Sequence, residues 1–223
     1  MRQLPFRDRE EAGRLLGAEL AGRKLPPDTI VLALPRGGVP VGRAIARILH
    51  APLDVVVVRK VGVPWQPELA MGAVSGGSAE AFDRRLIEHL RIARRDVDAI
   101  VAREKAEILR REKLYRGGRP APDLRGRTVL LVDDGLATGS TMAVAARYVR
   151  AFHPRQLIVA VPVASSQACV RMGEEADRCV CLARPEPFEA VGRWYLDFHQ
   201  VSDAEVQSML AESPRRAATS GAA

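Results

Sequence analysis

Residues 128–142, TVLLVDDGLATGSTM, constrain this chain more than any other stretch. Val129 to Val132 is an unbroken apolar run, the pattern of a strand covered on both faces in a parallel sheet. Two adjacent carboxylates, Asp133 and Asp134, close the strand. Gly135 to Thr141 supplies small and hydroxyl residues, and Ala143-Val144-Ala145-Ala146 opens a helix. A helix that starts directly after a strand presents unpaired N–H groups and the positive end of its dipole, which makes an anion site. Gly135 and Gly139 admit backbone conformations closed to other residues, and Thr138, Ser140 and Thr141 add hydroxyl donors. The loop is therefore expected to hold a phosphate. It lacks the Gly-Lys-Ser/Thr ending of the ATP-type phosphate loop. Two acids beside a phosphate would repel it unless a group stood between them. A ribose 5-phosphate meets that need, its phosphate in the loop and its 2′- and 3′-hydroxyls donating to the acids.

The rest of the chain repeats the strand–helix alternation. Asp8 and Glu11 have capping-box spacing, and Ala12, Leu15, Leu16 and Leu20 mark one face of a first helix. Thr29 to Leu34 reads as a buried strand ending in Pro35-Arg36-Gly37-Gly38. Val39 to Leu49 reads as a helix, and Leu53 to Val58 as a strand ending in Arg59-Lys60. Strand, helix and strand at this spacing predict a right-handed βαβ unit. Val61 to Phe82 is rich in Gly, Pro, Ala and Ser with little periodicity, so a long functional loop is expected, with short strand at Ala70 to Val74. Arg84 to Tyr115 carries Leu86, Leu90, Ala93, Val97 and Ile100 at steps of four and three. That fits one long helix or a hairpin of two, packed on its own domain or on a partner chain. Strands at Gln156–Val163 and Ala176–Leu182 flank a helix at Ser166–Glu174, and a Ser202/Glu205 capping box opens a last helix at Asp203–Leu210.

These elements predict an α/β fold, an open parallel sheet with helices on both faces and its ligand at the carboxyl ends of the strands. One domain is expected over 1–212, with a helical insertion at 83–118 and a small C-terminal segment at 183–200. Ser213 to Ala223 is small and polar and is expected to be disordered.

Net charge is +7 with a pI near 9.9. From Asp83 to Arg119 there are 12 basic residues against 7 acidic ones. Mixed signs along a helix read as a solvated face, and 4% aromatics leave little to stack bases, so nucleic acid is not an expected partner. No apolar stretch reaches membrane-span length and the first residues lack a signal-peptide core, so no membrane partner is expected. Cys169, Cys179 and Cys181 lack metal-site spacing and read as reduced core thiols, which points to the cytoplasm.

The strand, acid pair and Thr138-Gly139-Ser140-Thr141 closely resemble the phosphoribosyl-diphosphate (PRPP) signature of type I phosphoribosyltransferases. Leu34 to Gly38, Val58 to Pro64 and Val191 to Phe198 are similar to segments of a group of bacterial phosphoribosyltransferase-like proteins, and the resemblance runs from Phe6 to Leu210. It implies transfer of ribose 5-phosphate from PRPP to a nitrogenous base with release of diphosphate, with Mg²⁺ as cofactor. By resemblance Asp133, Asp134, Arg36 and Lys60 are catalytic, the acids reaching the metal through water. Gly135, Leu136, Ala137, Thr138, Gly139, Ser140 and Thr141 would bind the 5-phosphate. Arg36, Gly37, Gly38, Arg59 and Lys60 would bind diphosphate, Arg36 following a cis peptide. Residues 61–82 would be the mobile cover and 183–200 the hood, where Phe188 stacks on the base and Asp197 meets its edge. One departure stands out: hypoxanthine–guanine enzymes carry a carboxylate at the third loop residue, which here is Ala137. The acceptor base and the oligomeric state stay open, and the long helix offers a surface for a homodimer. A non-catalytic sensor of PRPP or nucleotides on the same fold is the alternative.

Overall fold

The computed structural model describes residues 4–76 and 80–212, with only the backbone at Ala81. The tail expected at 213–223 lies outside the described residues. In chain order the elements are α1 (Arg9–Ala21), β1 (Ile30–Ala33), α2 (Gly38–Leu49), β2 (Leu53–Val55), β3 (Val58–Val63), β4 (Gln66–Ser75), β5 (Glu80–Phe82), α3 (Arg84–His89), α4 (Arg94–Arg116), β6 (Thr128–Val132), α5 (Ser140–Arg150), β7 (Gln156–Val163), α6 (Ser166–Glu175), β8 (Arg178–Ala183) and α7 (Asp203–Ala211), with a 3-10 turn at Val191–Trp194 before α7.

Five strands form a wholly parallel sheet in the order β2-β1-β6-β7-β8. Successive side chains point to opposite faces, and here both faces are covered. Val31, Ala33, Leu130, Val132 and Ile158 pack with α1, α2 and α7, while Ile30, Leu32, Val129, Leu131 and Val159 pack with α5 and α6. Every residue of β1 and β6 is buried, which is why both read as unbroken apolar runs. The α/β sheet expected from the sequence is the one observed. The chain runs outward from β1 to β2 and later returns to the other side of β1 as β6. The carboxyl ends of β1 and β6 thus meet at a topological switch point, where open α/β sheets leave a crevice.

The stretch after β2 corrects the sequence reading. The strand expected over 53–58 leaves the main sheet after Val55, and Val56 and Val57 are buried as the crossover to a second sheet. Arg59 and Lys60 therefore lie inside β3, not at the carboxyl end of a main-sheet strand. Residues 61–82 are largely an antiparallel sheet, β3-β4-β5, instead of an aperiodic loop. Its alternation is hidden by a bulge at Val61–Val63, where the Gly62 backbone presses on Pro67; a Cβ there would fall 2.3 Å from the Pro67 carbonyl oxygen. Val61, Val63, Met71 and Val74 face the core, and Trp65 at the turn is 62% exposed.

The long helical segment is two helices. Arg91 adopts a left-handed φ of 52° between α3 and α4. The longer helix buries Val97, Ile108 and Tyr115 against its own domain. Its last turn is held by Tyr115, whose hydroxyl donates to Asp203 Oδ1 at 2.7 Å, and by Arg116, which donates to Asp54 Oδ1 and the Val55 carbonyl, each at 2.9 Å. At α1 the expected capping box is displaced: Asp8 accepts from the Glu11 N–H, but the Glu11 carboxylate accepts from Arg7 N–H at 2.6 Å. The α7 box is reciprocal. All three cysteines are free, and burial pushes the Cys179 and Cys181 thiols up to about 12. Among the described residues no helix is long and apolar enough to cross a membrane.

Candidate active site at the switch point

Leu34 N–H donates to the Val132 carbonyl at 2.8 Å, so the ends of β1 and β6 stay paired as the chain leaves the sheet. That pairing brings Pro35–Gly38 against the acid pair. The contact is closer than any side chain would permit: a Cβ on Gly37 would lie 2.1 Å from Asp134 Oδ2, and one on Gly38 would lie 2.7 Å from the Val132 carbonyl oxygen. Glycine at both positions is a requirement of the approach. The Pro35–Arg36 peptide is cis. Gly38 N–H donates back to the Leu34 carbonyl at 3.0 Å, which leaves Arg36 and Gly37 turned toward the crevice.

The two acids are held differently. Asp133 accepts from the Asp134 N–H at 2.9 Å. Burial, and then the neighbouring Asp134 charge, hold its carboxyl well above the usual carboxylate range. Asp134 has a 14% exposed side chain and is also raised by burial, but Arg9 opposes the rise. Arg9 Nε donates to Asp134 Oδ2 at 2.8 Å, and Arg9 Nη1 donates to the His199 carbonyl at 2.8 Å. The guanidinium lies 3.8 Å from the centroid of the Phe198 ring. The buried Tyr195 hydroxyl donates to the Asp134 carbonyl at 2.5 Å, and for the same reason of burial its ionisation is pushed up. Arg9, Arg36, Gly37, Asp134, Phe198 and His199 line a cavity of about 320 Å³.

After the acids, Gly135 passes under the 3-10 turn, where a Cβ would lie 2.6 Å from Val191 Cγ1. Gly139 takes a φ of 72°, open to glycine, and starts α5. Thr138 Oγ1 and Ser140 Oγ are 3.1 Å apart. Leu136, expected in the phosphate cradle, is framework instead: its N–H donates to the Val163 carbonyl at 3.0 Å, its carbonyl accepts from Ser165 N–H at 2.9 Å, and its side chain is buried. Ser165 Oγ donates to the Ala137 carbonyl at 2.6 Å, fixing the loop to the start of α6. Thr138, Ser140 and Thr141 border a second cavity of about 730 Å³, which the second sheet lines with Lys60, Met71 and Phe82.

The structure separates the remaining expected residues from the acids. Arg59 Nε is bound to Glu104 Oε2 at 2.9 Å on α4, and Lys60 Nζ to Glu68 Oε2 at 3.2 Å within the hairpin. Neither lines the cavity beside Arg36 and Asp134. Phe188 packs on Trp194 with ring centroids 6.2 Å apart, and Asp197, 62% exposed, accepts from the His199 N–H at 3.0 Å. The aromatic ring that does line that cavity is Phe198, because Tyr195 and Arg9 draw this end of the chain onto the acid strand.

Arg9 and Arg171 escaped the sequence reading. Arg171 Nη1, from α6, donates to Ser140 Oγ at 2.8 Å and brings a cation to a loop that has none. Arg9 left a faint signal. It sits in the first turn of α1, where the helix dipole disfavours a cation, so another group had to hold it. Among the described residues no group of three or more His, Cys, Asp or Glu could hold a metal ion. The acid pair offers two carboxylates, one already tied to Arg9, which fits an ion carried mainly by a ligand and water.

Comparison with known proteins gives the chain's relatives. The chain is 43% identical to TT1426 of Thermus thermophilus, whose crystal structure superposes with a TM-score of 0.79 over 96% of this chain and 99% of that one. It is 41% identical over 220 residues to two Mycobacterium tuberculosis proteins provisionally named phosphoribosyl transferases, Rv0571c and MT0597. The match takes in 97% of this chain and 49% of each of theirs, so the chain spans about half the length of these curated relatives. A family model described as the phosphoribosyl transferase domain matches residues 19–198, and the chain belongs to that family.

Proposed function

We propose that this chain transfers ribose 5-phosphate from PRPP to a nitrogenous base and releases diphosphate. One observation carries the reading: Arg36–Gly38 and the acid pair meet at the paired ends of β1 and β6, and the chain runs from the acids straight into the Thr138–Thr141 loop that opens α5. The amides and hydroxyls of Thr138, Gly139, Ser140 and Thr141 would accept the 5-phosphate at the start of α5. The ribose hydroxyls would donate to the acid pair. Arg36 and the Gly37 amide would face the diphosphate across the cavity that Phe198 lines. In the reaction the anomeric C–O bond breaks, diphosphate departs with the electron pair, and a base nitrogen forms the new C–N bond and gives up a proton. The protein contributes position and charge; none of these groups acts as a nucleophile.

Mg²⁺ bound to PRPP oxygens would offset charge on the leaving diphosphate, with Asp133 and Asp134 reaching it through water. Lys60 and the β3–β4 hairpin would fold toward the loop that they already border, excluding water from a reacting centre that water would capture. The base is unassigned; the cavity aromatic that would meet it is Phe198.

Calorimetric titration with Mg²⁺–PRPP tests the reading on wild type and on Asp133→Asn/Asp134→Asn. Binding in the first and none in a folded second is expected, followed by diphosphate release with one nucleobase of a screened set. Closure should also shift the emission of the exposed Trp65 to the blue. A folded wild type that binds no PRPP would sink the proposal. Binding without diphosphate release for any base would favour the sensor.

A further inference from the structure

Arg9 precedes the residues matched by the family model, yet its side chain enters the site from α1 and is only 8% exposed. Three contacts restrain it. Nε holds Asp134 Oδ2, Nη1 holds the His199 carbonyl, and the guanidinium plane lies over Phe198. These partners come from the acid strand end and from the chain segment before α7. A lysine has one charged atom and no plane, so it could not meet two acceptors and stack at once.

The contacts also divide the acid pair. Asp134 Oδ2 is taken by Arg9 and pressed against Gly37, and the Asp134 carbonyl is taken by Tyr195. Among the described residues Asp133 takes one side-chain hydrogen bond, at Oδ1 from the Asp134 N–H. We propose that Arg9 is a positioning residue that locks Asp134 to the hood and so fixes how the acid pair meets the ligand. The proposal rests on the PRPP reading for the identity of that ligand. The lock itself rests on α1, the β6 end and residues 195–199.

The first arm of the test needs no ligand. In an ¹⁵N-arginine spectrum, the Arg9 Nε–H should give a slowly exchanging signal shifted by the Phe198 ring. Asp134→Asn should move that signal, and Asp133→Asn should leave it in place. The second arm is Mg²⁺–PRPP affinity. Arg9→Gln should weaken it by about 10–100-fold, the usual loss when a supporting partner of a site ligand is removed. Arg9→Lys should restore part of that loss, and Arg9→Gln/Asp134→Asn should bind no more weakly than Asp134→Asn alone.

Losses that simply add in the double variant would show that Arg9 does not act through Asp134 and would overturn the proposal. So would an Arg9 signal that ignores Asp134→Asn. If Arg9→Gln fails to fold, Arg9→Lys and Phe198→Leu carry the same comparison, and unchanged affinity in both refutes it. A wild type that binds no PRPP refutes the function. The Arg9–Asp134 lock is then decided by the Arg9 signal alone.

Discussion

Gly37→Ala isolates the close approach on which the site depends. Gly37 has φ −61° and ψ −33°, conformations that alanine adopts freely, so backbone strain plays no part. The added Cβ would lie 2.1 Å from Asp134 Oδ2 and 2.7 Å from Asp134 Cγ, where contacts below 3.0 Å essentially do not occur. The carboxylate must move by close to an ångström, and Arg9 holds it in place. Overpacking of this kind costs about 1–3 kcal/mol, and rupture of the buried pair would take the cost toward ~3–5 kcal/mol. The loss of chain entropy in the unfolded state offsets about 0.4–1 kcal/mol. A net loss of about 2 kcal/mol is expected, or ~4–8 °C in Tm for a chain of this size. Gly173→Ala is the control: it lies inside α6 with nothing within 4 Å of its added Cβ, so it should gain about 0.5–1 kcal/mol. Urea unfolding followed by circular dichroism measures both, and unchanged m-values show that the unfolded states are comparable. A Gly37→Ala protein as stable as wild type would refute the packing argument. A destabilised variant that still binds Mg²⁺–PRPP with wild-type affinity would separate the packing from the site.

The acids predict unequal effects for neighbouring substitutions. Asp133 is raised above its ordinary value of 3.8 in the folded chain, so its protonated form contributes stability that is complete at low pH and lost as pH rises through the raised value. Asp133→Asn should therefore raise Tm at pH 7, with the gain shrinking in acid, while abolishing Mg²⁺–PRPP binding. Asp134→Asn should raise Tm less than Asp133→Asn does, because Arg9 already opposes the rise of the Asp134 carboxyl and would be left buried without its anion; calorimetry in which the two variants gain equally contradicts the asymmetry. The three tyrosines of the chain, Tyr115, Tyr148 and Tyr195, are all raised by burial above 10, Tyr115 to about 12. Native protein should show little phenolate absorbance as pH passes 10, and stability should fall above that pH as the unfolded chain ionises first. A normal titration in the folded state would count against the buried Tyr115–Asp203 and Tyr195–Asp134 bonds.

What could be read from the sequence follows the range of the forces involved. The β6–loop–α5 unit was legible because strand burial, the acid pair and the glycine at φ 72° all lie within one short stretch of chain. The parallel sheet was legible because strands buried on both faces lose their alternation and become apolar runs. The hairpin at 58–75 was not, because its bulge at Gly62 and small inward residues erase the two-residue period that marks a half-buried strand. Arg59 and Lys60 were misplaced for the same reason: a basic pair after a valine run looks identical whether the strand ends or changes sheets.

Glycines and counter-ions differ most in this respect. Gly37 and Gly38 report a close backbone approach from within their own loop, so the place of the crevice could be inferred before its walls were known. The partner of Asp134 could not, since Arg9 lies 125 residues away and nothing in its neighbourhood names an anion. Yet that partner decides how the two acids differ. A sequence showing two consecutive aspartates presents them as equivalents; the folded chain gives one of them a cation, a tyrosine and a glycine wall, and leaves the other with a single side-chain hydrogen bond among the described residues. Burial disfavours the charged form of both acids, and only one of them has a cation beside it to oppose that. The division of the pair therefore belongs to the tertiary structure, and the motif alone could not express it.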